Sequence, residues 1–244
     1  MPAFPEQRTP AIPDPYLLPR HYSLMTELTN PHDRFFKETF TRIELAQDFF
    51  AQYLPAPVAA TLNLNTLELQ SGSFVDPDLQ QQFADLLYRV TLQSEGDAYI
   101  YLLLEHKSYP DPQVPFQLLR YLVRIWERDL RAQETLRPIV PLVVYHGQGR
   151  WQVPLTFSSC YSGPEVLRAY WPDFRYELQD LSRLSHAEIT GALPLQIALL
   201  VLKYILDPTL HDHLGDILSL FKKLADTQST LTLLKKGQKP GFYT

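Results

Sequence analysis

The stretch Tyr99-Ile100-Tyr101-Leu102-Leu103-Leu104-Glu105-His106-Lys107-Ser108 constrains the fold of this chain more than any other. Its first six residues are an unbroken aromatic and aliphatic run, the pattern of a strand buried on both faces. Glu105, His106 and Lys107 then end the run abruptly. Alternate side chains of a strand share a face, so Glu105 and Lys107 point one way and His106 the other. A carboxylate and an ammonium delivered together at the exit of a buried strand admit two readings. One is an ion pair where the strand surfaces. The other is a metal site with a catalytic lysine beside it.

Asp85 lies in a second strand-like run, Phe83-Ala84-Asp85-Leu86-Leu87-Tyr88-Arg89-Val90. The turn Gln93-Ser94-Glu95-Gly96-Asp97 between the two runs is a hairpin signal. Paired strands lie about 4.8 Å apart, so Asp85 and Glu105 can reach one ion if the register allows. An Asp followed twenty residues later by Glu-x-Lys resembles the signature of PD-(D/E)XK nucleases. The residue types suit that chemistry. Phosphodiester hydrolysis needs in-line attack by water and relief of charge at phosphorus and at the leaving oxygen. Hard oxygen ligands from Asp85 and Glu105 suit Mg²⁺ or Mn²⁺, and such an ion acidifies bound water and clamps the phosphate. Lys107 would orient that water or stabilise the transition-state charge. The backbone carbonyl of His106 is a further candidate metal ligand, whereas its side chain faces away.

The remaining elements read as follows. Residues 1–29 form a disordered, proline-rich arm. Asn30-Pro31-His32-Asp33 opens a helix whose Phe36, Phe40, Ile43, Phe50 and Leu54 make one apolar stripe, stopped by Pro55 and Pro57. Thr66 to Gln70 reads as a first strand, and Gly72 and Asp76-Pro77-Asp78 as turn signals. Pro115 to Ala132 reads as a long helix, and Ile139 to Tyr145 as another buried strand. A helix between two buried strands implies a crossover and a mixed sheet. The order helix, three strands, helix, strand is that of an α/β, restriction-endonuclease-like core, assigned to residues 30–160. Residues 161–236 read as a mainly helical C-terminal region, and residues 237–244 as a disordered tail.

Several blocks then carry a more specific likeness. They are His32-Asp33-Arg34-Phe35-Phe36-Lys37, Asp85-Leu86-Leu87-Tyr88, Leu104-Glu105-His106-Lys107-Ser108, Pro115-Phe116-Gln117-Leu118-Leu119-Arg120-Tyr121 and Val144-Tyr145-His146-Gly147 with Trp151. In order and spacing, from Pro31 to Trp151, they resemble the Rpn/YhgA-like transposase family of recombination-promoting nucleases, placed in the PD-(D/E)XK superfamily. The resemblance implies metal-dependent DNA cleavage, with Asp85 and Glu105 as metal ligands and Lys107 as active-site base or electrostatic partner. This chain departs from the family by having Lys107 where Gln is frequent, and Gln117 where Arg is frequent. Lys107 is nearer the superfamily pattern. Gln117 and Tyr121 resemble the Gln-x-x-x-Tyr helix of RecB-like nucleases, in which both side chains sit near the site. That reading and the simpler one, a solvated Gln117 with Tyr121 packed, stand open.

Composition bounds the partners. The formal net charge of −5 argues against a protein coated in basic patches and directs attention to a local one. On the helix from Pro115, Arg120, Arg124, Arg128 and Arg131 recur at spacings of four, four and three. They fall within an arc of roughly 80° at the helical repeat, opposite Leu118, Leu119, Leu122, Ile125 and Trp126, so they are the candidate DNA-backbone contacts. The single cysteine, Cys160, fits a reducing compartment, and no segment reads as a membrane span; a cytoplasmic protein is expected. The apolar row Leu195, Leu199, Leu202 and Leu206 must pack either on the core or on a second copy in a homodimer.

His32-Asp33 suggests an HD-type metal phosphohydrolase only by its dipeptide; no further helical ligands show suitable spacing, and helix capping accounts for it. His211-Asp212-His213 follows a proline at a helix entry, where a solvated cap is the simpler role. The rival to a DNA endonuclease is a catalytically inactive nuclease fold that binds nucleic acid or protein.

Overall fold

The computed structural model describes residues 31–70, 84–105, 109–205 and 207–237. The expected arm, the turns at Gly72 and Asp76, the tail beyond Gly237, and His106, Lys107 and Leu206 lie outside those residues. The elements in order are α1 (Pro31–Phe40), α2 (Ile43–Tyr53), α3 (Ala56–Ala59), β1 (Leu62–Leu69), β2 (Ala84–Leu92), β3 (Asp97–Glu105), α4 (Val114–Arg131), β4 (Ile139–Tyr145), β5 (Glu177–Asp180), α5 (Leu193–Tyr204) and α6 (Leu210–Gly237). The strands form one mixed sheet in the order β1-β2-β3-β4-β5. The first three run antiparallel, and β3, β4 and β5 run parallel.

Strand β3 holds the centre. The pattern is that expected of a strand covered on both faces, since every residue from Ala98 to Glu105 is buried. Ile100, Leu102 and Leu104 point into a core shared with α1, α2 and α5. Tyr99, Tyr101 and Leu103 point the other way, into a second core closed by Leu118, Tyr121 and Ile125 of α4. Helix α4 is thus the crossover that lets β4 lie parallel to β3. The chain between β4 and β5 covers the rest of that face with Trp151, Phe174 and Tyr176.

Two features differ from expectation. The single N-terminal helix is two, because Arg42 takes an extended backbone (φ −78°, ψ 108°). Thr41 turns its hydroxyl onto the carbonyl of Glu38 at 3.3 Å, a local bond that competes with helix continuation. The break lets both halves face one aromatic cluster, in which Phe40 meets Phe36 at 4.8 Å and Phe49 at 5.0 Å. The second difference is β5, which joins the sheet from beyond residue 160. Its four residues, Glu-Leu-Gln-Asp, are too few to show a strand period.

Leu195, Leu199 and Leu202 are fully buried in the chain's own core, which accounts for that row. Among the described residues, no helix is long and apolar enough to cross a membrane.

A hydrogen bond ties α1 to the sheet. The buried Tyr88 hydroxyl donates to the carbonyl of Phe40, at the end of α1, at 2.6 Å. Tyr88→Phe leaves that carbonyl without its donor in a dry site, and is expected to cost about 1–3 kcal/mol in urea denaturation. An unchanged unfolding midpoint would show that apolar packing alone fixes α1.

Candidate active site

The site lies where β3 leaves the sheet. Register places Asp85 directly opposite Leu103. Opposed residues share a face, and so does Glu105, two positions beyond Leu103. Asp85 and Glu105 are therefore diagonal neighbours on the α4 face; such pairs lie about 7–8 Å apart at the backbone, a gap that two carboxylates and an ion between them can span. Glu105 is 1% exposed, and Asp85 is half-buried. In the parallel direction Glu105 aligns with Tyr145, and Tyr145 with Asp180 at the end of β5.

The electrostatics follow from this burial. Desolvation pushes the Asp85 carboxyl above its ordinary range, opposed by the Tyr101 hydroxyl and by the Lys37 ammonium. Tyr101 donates to Asp85 Oδ2 at 3.1 Å. Burial first, then the adjacent Asp85 charge, holds the Tyr101 hydroxyl well above its usual value, so it stays a donor at all physiological pH. Its ring lies 5.0 Å from that of Tyr121, whose hydroxyl is pushed up to about 12, chiefly by burial and then by Asp85. Tyr145 is likewise pushed up to about 12 by burial, with Asp180 and Glu105 contributing. Asp180 itself accepts from the Ser182 amide at 3.0 Å and the Ser182 hydroxyl at 2.5 Å, so it caps the following turn.

The structure brings Asp85, Glu105 and Tyr121 to one side of the sheet. Gln117 lies one helical turn before Tyr121 and so on the same face of α4; its Oε1 is buried and accepts no hydrogen bond from a described residue. His106 and Lys107 directly follow Glu105 and are outside the described residues. The arginine row divides. Arg120 and Arg124 lie close enough to Tyr121 to lower its pKa. Arg128 sits 5.1 Å over the Tyr99 ring and 3.4 Å from the buried Asp129, and Arg131 faces Glu127 at 3.4 Å.

Sequence reasoning missed three participants. Tyr101 was legible, because strand alternation places it on the Glu105 face. Lys37 belongs to α1, and no local pattern predicts that α1 crosses this corner. Asp180 arrives on the unforeseen fifth strand. The His32 ring lies 5.8 Å from that of His146, and the dipeptide His32-Asp33 joins no group of three metal-ligating side chains among the described residues.

A mixed five-stranded sheet with carboxylates gathered at the exit of its buried central strand is a nuclease-like α/β core. Residues 30–232 match the family described as "Putative transposase, YhgA-like", and the chain belongs to that family. Recombination-promoting nuclease RpnA of Escherichia coli (strain K12) is 32% identical over 179 residues, which are 72% of this chain and 61% of RpnA. Recombination-promoting nuclease RpnC of the same strain is 32% identical over 182 residues, 72% of this chain and 59% of RpnC. The inactive recombination-promoting nuclease-like protein RpnE is 31% identical over 187 residues, 75% of this chain and 62% of RpnE. The chain thus spans about three fifths of the length of these curated relatives. No solved structure matches it significantly.

The raised pKa of Asp85 has a consequence for stability. The folded protein holds this proton at pH values where the unfolded chain has released it. Stability contributed by the group therefore falls as pH rises from the ordinary carboxylate value through the raised folded value. Asp85→Asn removes that penalty and keeps an acceptor for Tyr101. Without divalent ions, the variant is expected to melt above the wild type at neutral pH, with the difference vanishing on acidification. Thermal melts in EDTA across a pH series measure this. Equal melting at neutral pH would mean that Tyr101 and Lys37 fully offset the burial.

Proposed function

We propose that this chain is a divalent-metal-dependent DNA endonuclease of the PD-(D/E)XK class, hydrolysing phosphodiester bonds. The observation that carries the reading is the shared face of Asp85 and Glu105, from adjacent strands, at the exit of β3. The names of RpnA and RpnC support it. The donor set fits the ion, being hard carboxylate oxygens, one of them destabilised by burial while uncompensated. Mg²⁺ or Mn²⁺ held by Asp85, Glu105 and the His106 carbonyl would supply charge at the phosphate and acidify a water. Tyr101 fixes the Asp85 carboxylate by donating to it. Lys107, two residues after Glu105, would orient the attacking water or stabilise the transition-state charge. Gln117 and Tyr121 would border the substrate side of the site.

The alternative, an inactive nuclease fold that binds DNA or protein, is favoured by the name of RpnE. Incubation with supercoiled plasmid distinguishes them. Nicking is expected with Mg²⁺ or Mn²⁺ and not in EDTA. Asp85→Asn or Glu105→Gln should slow it by at least about a hundredfold, the scale of losing several kcal/mol of metal-derived stabilisation. Lys107→Ala should abolish cleavage and leave Mn²⁺ binding intact. Undiminished cleavage by a double carboxylate variant would sink the assignment, and no divalent binding at millimolar concentration would select the inactive module.

Arg120, Arg124, Arg128 and Arg131 are the candidate DNA contacts, and Arg120, Arg124 and Arg131 are the three to substitute, because removing Arg128 would also disturb the buried Asp129 and Tyr99. Replacing those three with Gln should flatten the log–log salt dependence of duplex binding by up to about 2.7, or roughly 0.9 per phosphate contact. An unchanged slope in the folded triple variant would place the DNA elsewhere.

A further inference from the structure

Away from the sheet, the C-terminal helices bring together three side chains that the nuclease reading does not use. His186 opens a short 3-10 turn, His186–Glu188, held by a capping box between Ser185 and Glu188. His213 and Asp216 are one turn apart on α6 and so share a face. His186 Nδ1 stands 3.6 Å from Asp216 Oδ2, and its ring centroid is 5.1 Å from that of His213. One ring nitrogen from each histidine and one oxygen of Asp216 all lie within 4.8 Å of one another. It is the only such group of three among the described residues.

Tyr204 of α5 walls the cluster. Its ring stacks on His213 at 3.9 Å and meets His186 edge-on at 5.3 Å. His186 Nε2 is buried and has no hydrogen-bond partner among the described residues. An ion pair between His186 and Asp216 would explain one contact. It leaves over a second imidazole, stacked on Tyr204 and within reach of the same carboxylate. Two neutral imidazoles beside one carboxylate are instead a donor set for a borderline-soft cation.

We propose that His186, His213 and Asp216 form a binding site for a divalent transition-metal ion of the zinc class, clamping α6 to the turn that precedes α5. Zinc bond lengths near 2.0–2.2 Å require tetrahedral ligand separations of roughly 3.3–3.5 Å. Small side-chain rotations reach this from the observed spacing, and Asp216, 70% exposed, is free to make them. The imidazoles discriminate against Mg²⁺, which prefers oxygen donors. The two ion sites of this chain would thus take different metals.

The test uses the full chain carrying Asp85→Asn and Glu105→Gln, so that ions at the sheet do not count. After EDTA dialysis it is titrated with Zn²⁺ by calorimetry and with Co²⁺ by visible absorbance, in millimolar Mg²⁺. One Zn²⁺ per chain is expected, with Co²⁺ giving ligand-field bands. Zn²⁺ should raise the melting temperature, because it binds the folded chain. His213→Gln and Asp216→Asn should each weaken Zn²⁺ binding by more than about a hundredfold, beyond the loss typical of outer-shell partners. Asp216→Asn is the variant that the fold tolerates, since the side chain is exposed. Zn²⁺ affinity unchanged in Asp216→Asn, or no Zn²⁺ uptake in the Asp85→Asn, Glu105→Gln background, overturns the proposal.

Discussion

The structure depends on β3 being paired on both edges and covered on both faces. Antiparallel β2 and parallel β4 occupy its edges, and the cores built on α1, α2 and α5 and on α4 occupy its faces. A strand in that position can carry no unpartnered polar group until it exits, because an uncompensated buried polar group costs several kcal/mol. After Asp97 at its start, Glu105 is the next residue of the strand able to carry charge, and it remains only 1% exposed. Whatever the chain does with a carboxylate there happens at a point fixed by five strands rather than on a mobile loop, which is the kind of support that precise catalytic geometry needs.

The two ends of the sheet treat buried acids in opposite ways. At the far end, Asp129 is 1% exposed. It accepts from Tyr99 at 3.0 Å and faces Arg137 at 3.2 Å and Arg128 at 3.4 Å. Arg137 also meets Glu134 at 2.5 Å, which raises its pKa. Acids and bases are matched there, and the network pins the C-terminal end of α4 to the start of β3. At the near end, Asp85 gains only a phenol and a lysine against its burial, and its pKa rises. The buried charge of Asp129 is matched by two guanidinium groups, whereas burial pushes the Asp85 carboxyl up and its neighbours offset that only in part. That difference distinguishes the two ends more sharply than burial alone.

Much of this was legible in the sequence because the informative signals are local. The run from Tyr99 to Leu104, the hairpin turn at Gly96 and the buried strand ending at Tyr145 each depend on a few adjacent residues, and the observed strands match them. The shared face of Asp85 and Glu105 followed once the hairpin register was set. The rest was hidden because it depends on distant pairing. The helix break at Arg42 turns α2 so that Phe50 packs on Tyr88, 38 positions on. Strand β5 has too few residues for a period and is specified by the edge that β4 offers. His213 was noticed beside His211 and Asp212, but its neighbours in space are His186 and Tyr204. The helix turns His211 and Asp212 outward, 76% and 63% exposed, in keeping with a solvated helix entry, and only His213 turns inward.

The family contains members named as nucleases and a member named as inactive, so the fold alone does not assign activity. Cost bears on the question. The apolar core stabilises this chain whether or not it cuts DNA. Asp85 does not: it is desolvated, its charged form is disfavoured, and a neutral isostere would keep its bond to Tyr101 without the penalty. Glu105 is 1% exposed on the same face. A fold that served only as a binding surface would gain stability by losing the Asp85 charge, since destabilising features persist where activity needs them. This chain keeps both carboxylates, on one face, beside a tyrosine aimed at one of them. That combination is difficult to account for by packing, and it is the arrangement that the proposed divalent-ion site requires.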